Sequence, residues 1–410
     1  MTGIRANALG IYISVPFCRS KCTYCNFASG VYPASEHARY VDRLIEDMNA
    51  AGAWAERIGV QLPRRVDTIY LGGGTPSLLA PDLIARLFWA IRTVFDVQAD
   101  AEVTVECAPG QIADDTLAAM VASGVNRVSM GVQSFIDREA QVSGRLQTRA
   151  MVEEDLRRLR AAGITNINLD LIAGLAGQTF ASWEESLAVL AGSGVPHASV
   201  YMLEVDEDSR LGREMLAGGA RYQAGLVPVD DAIAQMYTRA QEELAAAGLR
   251  QYEISNFSKP GFRSRHNLRY WQRRPYLGLG LDASSMLRGM QGTDSDELGL
   301  VLRSTTTDDL GAFQEGRQQI ETTWLSAEQQ FEEAWFLGLR LNGGVELAAL
   351  RREFGRERVA EALRVVSRLV GDGLLRSDGR KIRLTERGRM LSNDVFQEFL
   401  GMVGEECMAV

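Results

Sequence analysis

Regular alternation of short apolar segments with amphipathic ones in the first 205 residues constrains the fold more than any other feature of this chain. Six segments have the length and apolar content of β-strands: residues 10–17, 66–71, 101–107, 127–132, 166–172 and 197–205. The intervening segments have helical spacing; Val41, Leu44, Ile45 and Met48, for example, recur at i, i+3, i+4 and i+7. Such alternation predicts an α/β fold of parallel strands joined by right-handed crossovers. Six units predict an incomplete (β/α)6 barrel with its ligand site at the carboxyl ends of the strands.

The pattern changes after this barrel. A further helix is predicted over 230–247, followed by aromatic segments at 252–257 and 266–271, a glycine-rich run at 278–283 and a polar connector at 289–323. From about residue 324, two helices (347–354 and 358–370) and a hairpin (374–376 and 381–384) predict a small winged-helix-like α+β domain. We therefore expect three parts, with the barrel at 1–230, its extension and connector at 231–323, and the C-terminal domain at 324–410.

Charge argues against nucleic acid as the partner. The chain has 44 Lys and Arg against 53 Asp and Glu, a net charge of −9. Residues 340–390 carry 13 positive and 7 acidic side chains, so DNA binding by the winged-helix-like part is a real alternative. Glutamates at helical spacing, such as Glu357 and Glu361 beside Arg364, would pair with some of those arginines, and no aromatic stacking platform accompanies them. We expect a docking or lid role instead.

The chain has no segment that predicts membrane insertion or secretion. The longest uncharged stretch, 186–203, is interrupted by Gly192, Gly194 and Pro196. The first residues lack a basic region followed by a long apolar one. We expect a cytoplasmic protein, whose thiols are kept reduced.

Three of the five cysteines lie within eight residues, as Cys18, Cys22 and Cys25. An odd, bunched set in a reducing compartment indicates a metal site rather than a disulfide framework. Zinc would need a fourth ligand that this segment does not offer. Three thiolates can instead hold an iron–sulfur cubane and leave one iron free for an exchangeable molecule. Of the other two, Cys107 is expected to be a packed structural thiol and Cys407 to be incidental.

Polar and glycine residues follow several of the predicted strands. Gly72, Gly73, Gly74, Thr75 and Pro76 end the second strand, where glycines let the backbone approach a ligand or simply make a tight turn. Period-two alternation in the third strand directs Glu106 into the barrel and Cys107 away from it. Gln133, Arg145 and Asp170 also lie at or just past strand ends. Polar side chains at such positions need a partner, which a bound ligand could supply. The alternative is an internal ion pair between Arg145 and Asp170.

These motifs together resemble the radical S-adenosylmethionine (SAM) superfamily. The resemblance rests on the segment YISVPFC at 12–18, the three-cysteine loop and the GGGTP turn. More narrowly, the chain is similar to the coproporphyrinogen III oxidase-like group and, within it, to HemW-type heme chaperones. This narrower resemblance adds the segments YEISNF at 252–257, HNLRYW at 266–271 and LSNDVF at 391–396.

The resemblance implies cofactors and the residues that bind them. Cys18, Cys22 and Cys25 would hold a [4Fe–4S] cluster whose fourth iron chelates SAM, and reductive cleavage of SAM would generate a 5′-deoxyadenosyl radical. The residues expected to contact SAM are Tyr12, Tyr24, Gly73, Gly74, Thr75, Glu106, Gln133, Arg145 and Asp170. The working cycle would require an electron-donor protein.

One substitution favours the chaperone branch. Coproporphyrinogen oxidases have a further cysteine two positions after the third, where this chain has Phe27. The resemblance then implies a protein that binds heme and passes it to an unidentified acceptor. His266 is the candidate heme ligand, with Tyr270 and Trp271 as stacking partners. The alternative is a structural histidine with both aromatics in the core. Relatives have a histidine where this chain has Ser284, so that position cannot supply a ligand here.

A catalytic hypothesis stands beside the chaperone hypothesis. The same cofactors would serve a radical SAM enzyme, either a coproporphyrinogen III dehydrogenase or a methyltransferase. Phe27 argues against the first of these, and nothing in the sequence excludes the second.

Overall fold

The structure, a computed structural model, describes residues 8–290, 299–317 and 320–401. Its strands are β1 (Leu9–Val15), β2 (Val60–Gln61), β3 (Arg65–Gly73), β4 (Asp96–Cys107), β5 (Arg127–Gln133), β6 (Asn166–Ala173), β7 (His197–Met202), β8 (Arg250–Gln251), β9 (Asn256–Ser258), β10 (Tyr276–Leu279), β11 (Ser284–Gly289), β12 (Val301–Thr305), β13 (Glu321–Leu325), β14 (Val345–Glu346), β15 (Leu375–Ser377) and β16 (Lys381–Leu384).

Helices connect most of these strands, and two short 3-10 turns (Pro76–Leu78 and Arg221–Leu226) lie among them. The helices are α1 (Ser35–Ile58), α2 (Pro81–Val94), α3 (Asp114–Ala122), α4 (Asp137–Val142), α5 (Arg149–Ala161), α6 (Phe180–Ser193), α7 (Arg210–Leu216), α8 (Asp230–Ala246), α9 (Arg265–Trp271), α10 (Leu310–Gln314), α11 (Ala327–Leu339), α12 (Leu347–Phe354), α13 (Arg356–Gly371), α14 (Glu386–Met390) and α15 (Ser392–Gln397).

The six predicted strands of the barrel form, and they lie side by side in chain order. The sheet runs β10-β1-β3-β4-β5-β6-β7, and every neighbouring pair along this stretch is parallel. The far strands of the described sheet, β13 and β8, do not pair with each other. The predicted α/β fold with an incomplete parallel barrel is therefore confirmed.

Strand alternation separates an apolar face from a polar one. Two rows of paired residues face the helices: Ile11, Ile69 and Val103, then Ile13, Leu71 and Val105. All six are buried in one hydrophobic core, and burying each side chain stabilises the fold by roughly 1.5–3 kcal/mol. The residues between them include Thr68, Tyr70, Glu102 and Glu106, so the opposite face of the sheet is lined with polar groups.

Helix α9 joins the polar face of the sheet through buried polar contacts. The backbone N–H groups of Arg265 and His266 each donate to the Glu102 carboxylate at 2.9 Å. Arg269, fully buried, pairs with the equally buried Asp67. A buried arginine is stable only when its donors are satisfied, and here the carbonyl oxygens of Ala8 and Pro275 each accept a further bond at 2.8 Å.

The polar segment predicted as a connector at 289–323 is instead partly built into the sheet. Strand β11 pairs with β12, and β12 pairs with β13, both antiparallel. The prediction failed because β12 (VLRST) has two adjacent apolar residues followed by polar ones, and β13, the edge strand, is largely exposed along its length. Such strands lack the apolar alternation that identifies a half-buried strand.

The C-terminal residues form the predicted small α+β unit. Strands β14, β16 and β15 make a three-stranded antiparallel sheet, which packs with α11, α12 and α13 around Phe331, Trp335 and Ile382. Its ion pairs differ from the expected ones. Among the described residues, Arg358 pairs with Glu328 and Arg368 with Glu398, whereas Arg364 pairs with neither Glu357 nor Glu361.

Helix α1, with 24 residues, is amphipathic rather than apolar. Its buried positions include Tyr40, Val41, Leu44 and Met48, which lie on one face. Within the described part of the chain, no helix combines the length and the hydropathy that crossing a bilayer requires.

Candidate cofactor site

A cavity of about 1050 Å³ opens at the carboxyl ends of the barrel strands. Its wall contains all three clustered cysteines and eight of the nine residues expected to contact SAM: Tyr24, Gly73, Gly74, Thr75, Glu106, Gln133, Arg145 and Asp170. The ninth, Tyr12, lies behind this wall, where its hydroxyl would be 3.5 Å from a Cβ built on Gly73. Residues scattered over 150 positions of sequence therefore meet at one site.

The cysteine loop directly follows β1 and is anchored at both ends. Cys18 donates its backbone N–H to the carbonyl of Gly30 at 2.9 Å, and Gly30 donates to Pro16 at 2.8 Å. Lys21 reaches across the loop, and its ammonium group donates to the carbonyls of Phe27 and Ser29 at 2.6 and 2.8 Å. These bonds hold the three thiols at the end of β1 without a disulfide.

The three thiols are free and half-buried. Burial raises the pKa of the Cys18 thiol, while hydrogen bonds from Ser29 and Thr75 lower it. Zinc bound at about 2.3 Å would draw its thiolates together around one point, and no three metal-ligating side chains among the described residues converge in that way. Three thiolates from one loop can each bind a separate iron of a cubane, which leaves the fourth iron without a protein ligand.

Gly74 brings the end of β3 against the cysteine loop. Its N–H donates to the carbonyl of Val15 at 2.9 Å, and the N–H of Thr75 donates to that of Phe17 at 2.8 Å. A Cβ on Gly74 would lie 2.7 Å from the Val15 oxygen. Only glycine allows this contact between two backbone segments. The turn is therefore both a tight connection to the following 3-10 segment and part of the cavity wall.

Glu106 lines the cavity, and Cys107, which also borders it, is buried in the hydrophobic core as the strand alternation predicts. Burial raises the pKa of the Glu106 carboxyl to about 7, although the Tyr70 hydroxyl donates to it at 2.8 Å. Burial also raises the pKa of the Cys107 thiol to about 12, which disfavours the thiolate. Glu106 can thus ionise near neutral pH and receive a cationic group, whereas Cys107 stays a neutral thiol.

Gln133 and Arg145 form the part of the wall beside β5. Gln133 has a φ of 67°, in the left-handed region, and its buried Oε1 has no hydrogen-bond partner. Such strain and an unsatisfied acceptor are retained where a site requires them. The Arg145 guanidinium lies over Gly131, and its Nε donates to the Tyr24 hydroxyl at 3.3 Å.

Asp170 is held by neutral hydrogen bonds. Asn168 donates to one carboxylate oxygen at 2.7 Å and the Ser129 hydroxyl to the other at 3.4 Å. The ion pairs among the described residues do not include Arg145 with Asp170, so the internal pair that was the alternative to ligand binding does not form. Burial raises the pKa of Asp170. Its carboxylate is therefore available to accept hydrogen bonds from a ligand.

The donor set fits the cofactors that the family implies. Three free thiols lie beside an unpartnered amide oxygen, and two carboxylates are held by hydroxyl and amide groups rather than by cations. A ligand with a cationic amino group and several hydroxyl groups would satisfy these acceptors. No described side chain donates a hydrogen bond to Gln133 Oε1.

His266, Tyr270 and Trp271 do not line this cavity. His266 is 1% exposed, and both ring nitrogens are bonded, Nδ1 with the Thr68 hydroxyl at 2.9 Å and Nε2 with the Tyr270 hydroxyl at 2.8 Å. Heme coordination would require one of these bonds to break. The contacts favour the structural alternative, and the heme role of His266 stays a prediction. Cys407 lies outside the described residues, and Ser284 is exposed on β11.

Three residues of the cavity region were not found from the sequence. Tyr70 supports Glu106, and its inward position could have been inferred from the alternation of β3. Tyr201 lines the cavity from the end of β7 and Arg340 lines it from the turn after α11. Arg340 is far along the chain and belongs to no recognisable pattern, so only the packing of the C-terminal unit reveals it.

Comparison with known families agrees with this geometry. The model of the radical SAM superfamily matches residues 12–190, and the model of the HemN C-terminal domain matches residues 325–391. Among solved structures, coproporphyrinogen III oxidase (HemN) from Escherichia coli, described as a radical SAM enzyme, has a TM-score of 0.79 at 23% identity. The similarity covers 96% of this chain and 90% of that one, and at this identity it shows the fold alone.

Curated relatives match over nearly the whole chain. Heme chaperone HemW of Lactococcus lactis is 32% identical, covering 95% of this chain and 96% of the relative. Heme chaperone HemW of Escherichia coli is 30% identical, with 97% and 99% covered. In the mouse, the mitochondrial radical S-adenosyl methionine domain-containing protein 1 is 30% identical, with 96% and 88% covered. The chain therefore belongs to the radical SAM superfamily and, within it, to the HemW family.

Proposed function

We propose that this protein is a heme-trafficking chaperone that carries a SAM-chelated [4Fe–4S] cluster, binds heme and transfers it to an acceptor protein. The observation that carries the proposal is the meeting of three free cysteines and eight expected SAM contacts in one cavity of a chain whose relatives at 30–32% identity are named heme chaperones. The acceptor and the electron donor are two further protein partners in this scheme, which we place in the cytoplasm.

The chain's own residues have distinct roles in the proposal. Cys18, Cys22 and Cys25 hold the cluster, which supplies one-electron chemistry and an iron for SAM when it is bound. Ionised Glu106 receives the SAM amino group. Asp170 accepts hydrogen bonds from the ribose hydroxyls.

Two further positions complete that scheme. The unpartnered oxygen of Gln133 accepts a hydrogen bond from SAM, and the Tyr24 ring contacts the adenine. Phe27, 62% exposed, occupies the position of the additional cysteine found in coproporphyrinogen oxidases. Its lack of a thiol supports the chaperone over the oxidase.

A radical SAM enzyme, such as a methyltransferase, is the second candidate. The observation that favours it is the meeting of eight of the nine expected SAM contacts in one cavity, since a protein that only carried heme would not need them. Formation of 5′-deoxyadenosine in step with a modified substrate would support this candidate. Heme transfer without SAM cleavage would support the chaperone alone.

The proposal is tested with anaerobically reconstituted full-length protein. We expect four irons per chain, a SAM-dependent change in the cluster's electron paramagnetic resonance spectrum, and saturable binding of added heme. Cys22→Ala should lose the cluster. The matched control Cys107→Ala removes a neutral core thiol and should retain four irons. Wild-type protein that holds the cluster but does not bind heme would contradict the chaperone role.

The heme prediction for His266 has a separate test. His266→Ala should alter the heme absorption spectrum if His266 is a ligand. Thr68→Val serves as its control, because it removes the hydrogen bond to Nδ1 but leaves the imidazole in place. An unchanged heme spectrum in His266→Ala would show that His266 is not a heme ligand, and the rest of the proposal would be unaffected.

A further inference from the structure

The cavity extends beyond the residues expected to bind SAM. Its far part is formed by the end of β7, by residues 254 and 255, and by the C-terminal unit, which contributes Arg340 and residues 390–394. Cavities that enclose one drug-sized ligand have volumes of roughly 300–1,000 Å³. At about 1050 Å³ this cavity is at the top of that range, and its far part lies beyond the residues expected to contact SAM.

Arg340 brings an unpaired cation to this far part. No described carboxylate lies within 4 Å of its guanidinium, and its buried Nε has no hydrogen-bond partner. The guanidinium carbon lies 4.4 Å from the centre of the Trp271 ring and 5.8 Å from that of Phe396. Aromatic contacts on this scale hold a guanidinium in place but leave its donors unused.

The electrostatic surroundings of Arg340 differ from those of the SAM end. The charged groups that act on it are Glu253 and Glu204, whereas Asp170 is influenced by Arg127 and Arg145. Burial lowers the pKa of Arg340, and the two glutamates raise it. Arg340 makes no hydrogen bond to Asp170, whose described partners are Asn168 and Ser129.

The wall next to Arg340 contains large apolar side chains together with the polar Glu204, Asn393 and Asp394. Tyr201 is 41% exposed and Leu391 is 39% exposed, although both line the cavity, and Met202 and Met390 lie beside them. Large apolar side chains with free surface inside a cavity favour a flat apolar ligand. A cation next to such a wall favours a ligand that also carries an anionic group.

We infer that this end of the cavity binds a tetrapyrrole, with a propionate paired to Arg340 and the ring against Tyr201 and Leu391. The inference deepens the proposed function, on which it rests, by assigning heme a site in the cavity rather than at the enclosed His266. Arginine suits a carboxylate partner because its planar fork can donate two parallel hydrogen bonds.

The test uses reconstituted full-length protein and three probes: ferric heme, heme dimethyl ester and SAM. Arg340→Gln should weaken heme binding about 10- to 100-fold, as expected for loss of a charge-assisted hydrogen bond, and Arg340→Lys should lie between. Wild-type protein should bind the dimethyl ester more weakly than heme by a similar factor, and this comparison does not depend on how any variant folds. SAM affinity should be unchanged in both variants.

Arg273→Gln is the matched control. Arg273 also stacks on an aromatic ring, Phe354 at 5.3 Å, but it pairs with Glu353 and does not line the cavity. Its loss should leave heme affinity unchanged. Equal heme affinity in Arg340→Gln and wild type would overturn the inference, as would a loss of SAM affinity in place of heme affinity. Failure of wild-type protein to bind heme at all would instead overturn the proposed function and this site with it.

Discussion

The carboxyl group of Glu106 lies inside the barrel, where burial raises its pKa from 4.5 to about 7. Below pH 4.5 it is protonated in both the folded and the unfolded protein. As pH rises from 4.5 to 7, the unfolded chain ionises while the folded protein keeps the proton, so Glu106 progressively destabilises the fold. The penalty is complete above pH 7 and is at most about 3 kcal/mol.

Glu106→Gln should therefore remove a pH-dependent penalty in the cofactor-free protein. The amide cannot ionise but can still accept the Tyr70 hydrogen bond. We expect the difference in unfolding free energy, variant minus wild type, to become more positive between pH 5 and pH 8. Urea denaturation at several pH values measures this difference. A difference that is constant over that range would show that Glu106 has an ordinary pKa.

Gly74 and Gly52 provide a second test at the scale of single residues. Gly74→Ala should destabilise the protein by about 1–3 kcal/mol, because its Cβ would meet three backbone atoms within 2.9 Å. Gly52 lies in the interior of α1 with nothing within 4 Å of a built Cβ, so Gly52→Ala should stabilise by about 0.5–1 kcal/mol. Thermal unfolding of both variants measures the contrast, and equal shifts would contradict the close approach at Gly74.

Helix α9 depends on a carboxylate supplied by a strand. Glu102 on β4 accepts hydrogen bonds from two N–H groups of the first turn, and the Ser264 hydroxyl accepts one from the N–H of Asn267. The bonds orient the helix so that His266 reaches Thr68. An element that carries the family's HNLRYW segment is thus positioned from a part of the chain more than 160 residues earlier.

Glu102→Gln should loosen α9 specifically. An amide offers one acceptor oxygen where the carboxylate offers two, so one N–H loses its partner at a cost of about 1–2 kcal/mol. Hydrogen exchange of the amides in α9 should accelerate while exchange in α2 stays unchanged. Ser264→Ala is the control for capping alone and should cost about 1 kcal/mol. Uniform acceleration across the chain would contradict the local role.

At the scale of the whole molecule, the C-terminal unit is joined to the barrel by backbone and side-chain contacts. Asn342 donates its N–H to the carbonyl of Tyr252 at 3.0 Å and its side-chain amide to that of Gln251 at 2.9 Å. Ile254, from the same segment of the barrel, is buried in the C-terminal hydrophobic cluster. This junction forms the far wall of the cavity.

Asn342→Ala should weaken that junction. It removes one side-chain hydrogen bond, worth about 1 kcal/mol, which raises the population of undocked molecules roughly fivefold. Limited proteolysis between the barrel and the C-terminal unit should become faster. The control Ser367→Ala removes a hydrogen bond that lies wholly within α13 and should leave cleavage unchanged. Equal cleavage rates in Asn342→Ala and wild type would contradict this contribution to docking.

Much of the barrel and of its cofactor residues could be predicted from sequence because both depend on local patterns. Alternation along β3 and β4 decides which residues face the helices, and the chain order of parallel strands decides which ends meet. The cysteine loop directly follows β1, so its position at the carboxyl ends of the barrel strands could be predicted from that order alone. Strands β12 and β13 were missed because their sequences, VLRST and ETTWL, have no period-two alternation of apolar and polar residues.

The sequence by itself determined the parallel barrel, the position of the three thiols at its carboxyl end and the family, since each depends on short-range spacing or on motifs that remain recognisable without contacts. Only the tertiary structure decided that His266 is enclosed with both nitrogens bonded, that Arg145 and Asp170 do not pair, and that the Arg340 guanidinium has no ion-pair partner among the described residues. Those outcomes depend on which distant side chains compete for the same hydrogen bonds. Such competition is settled by three-dimensional packing and leaves no periodic trace in the chain.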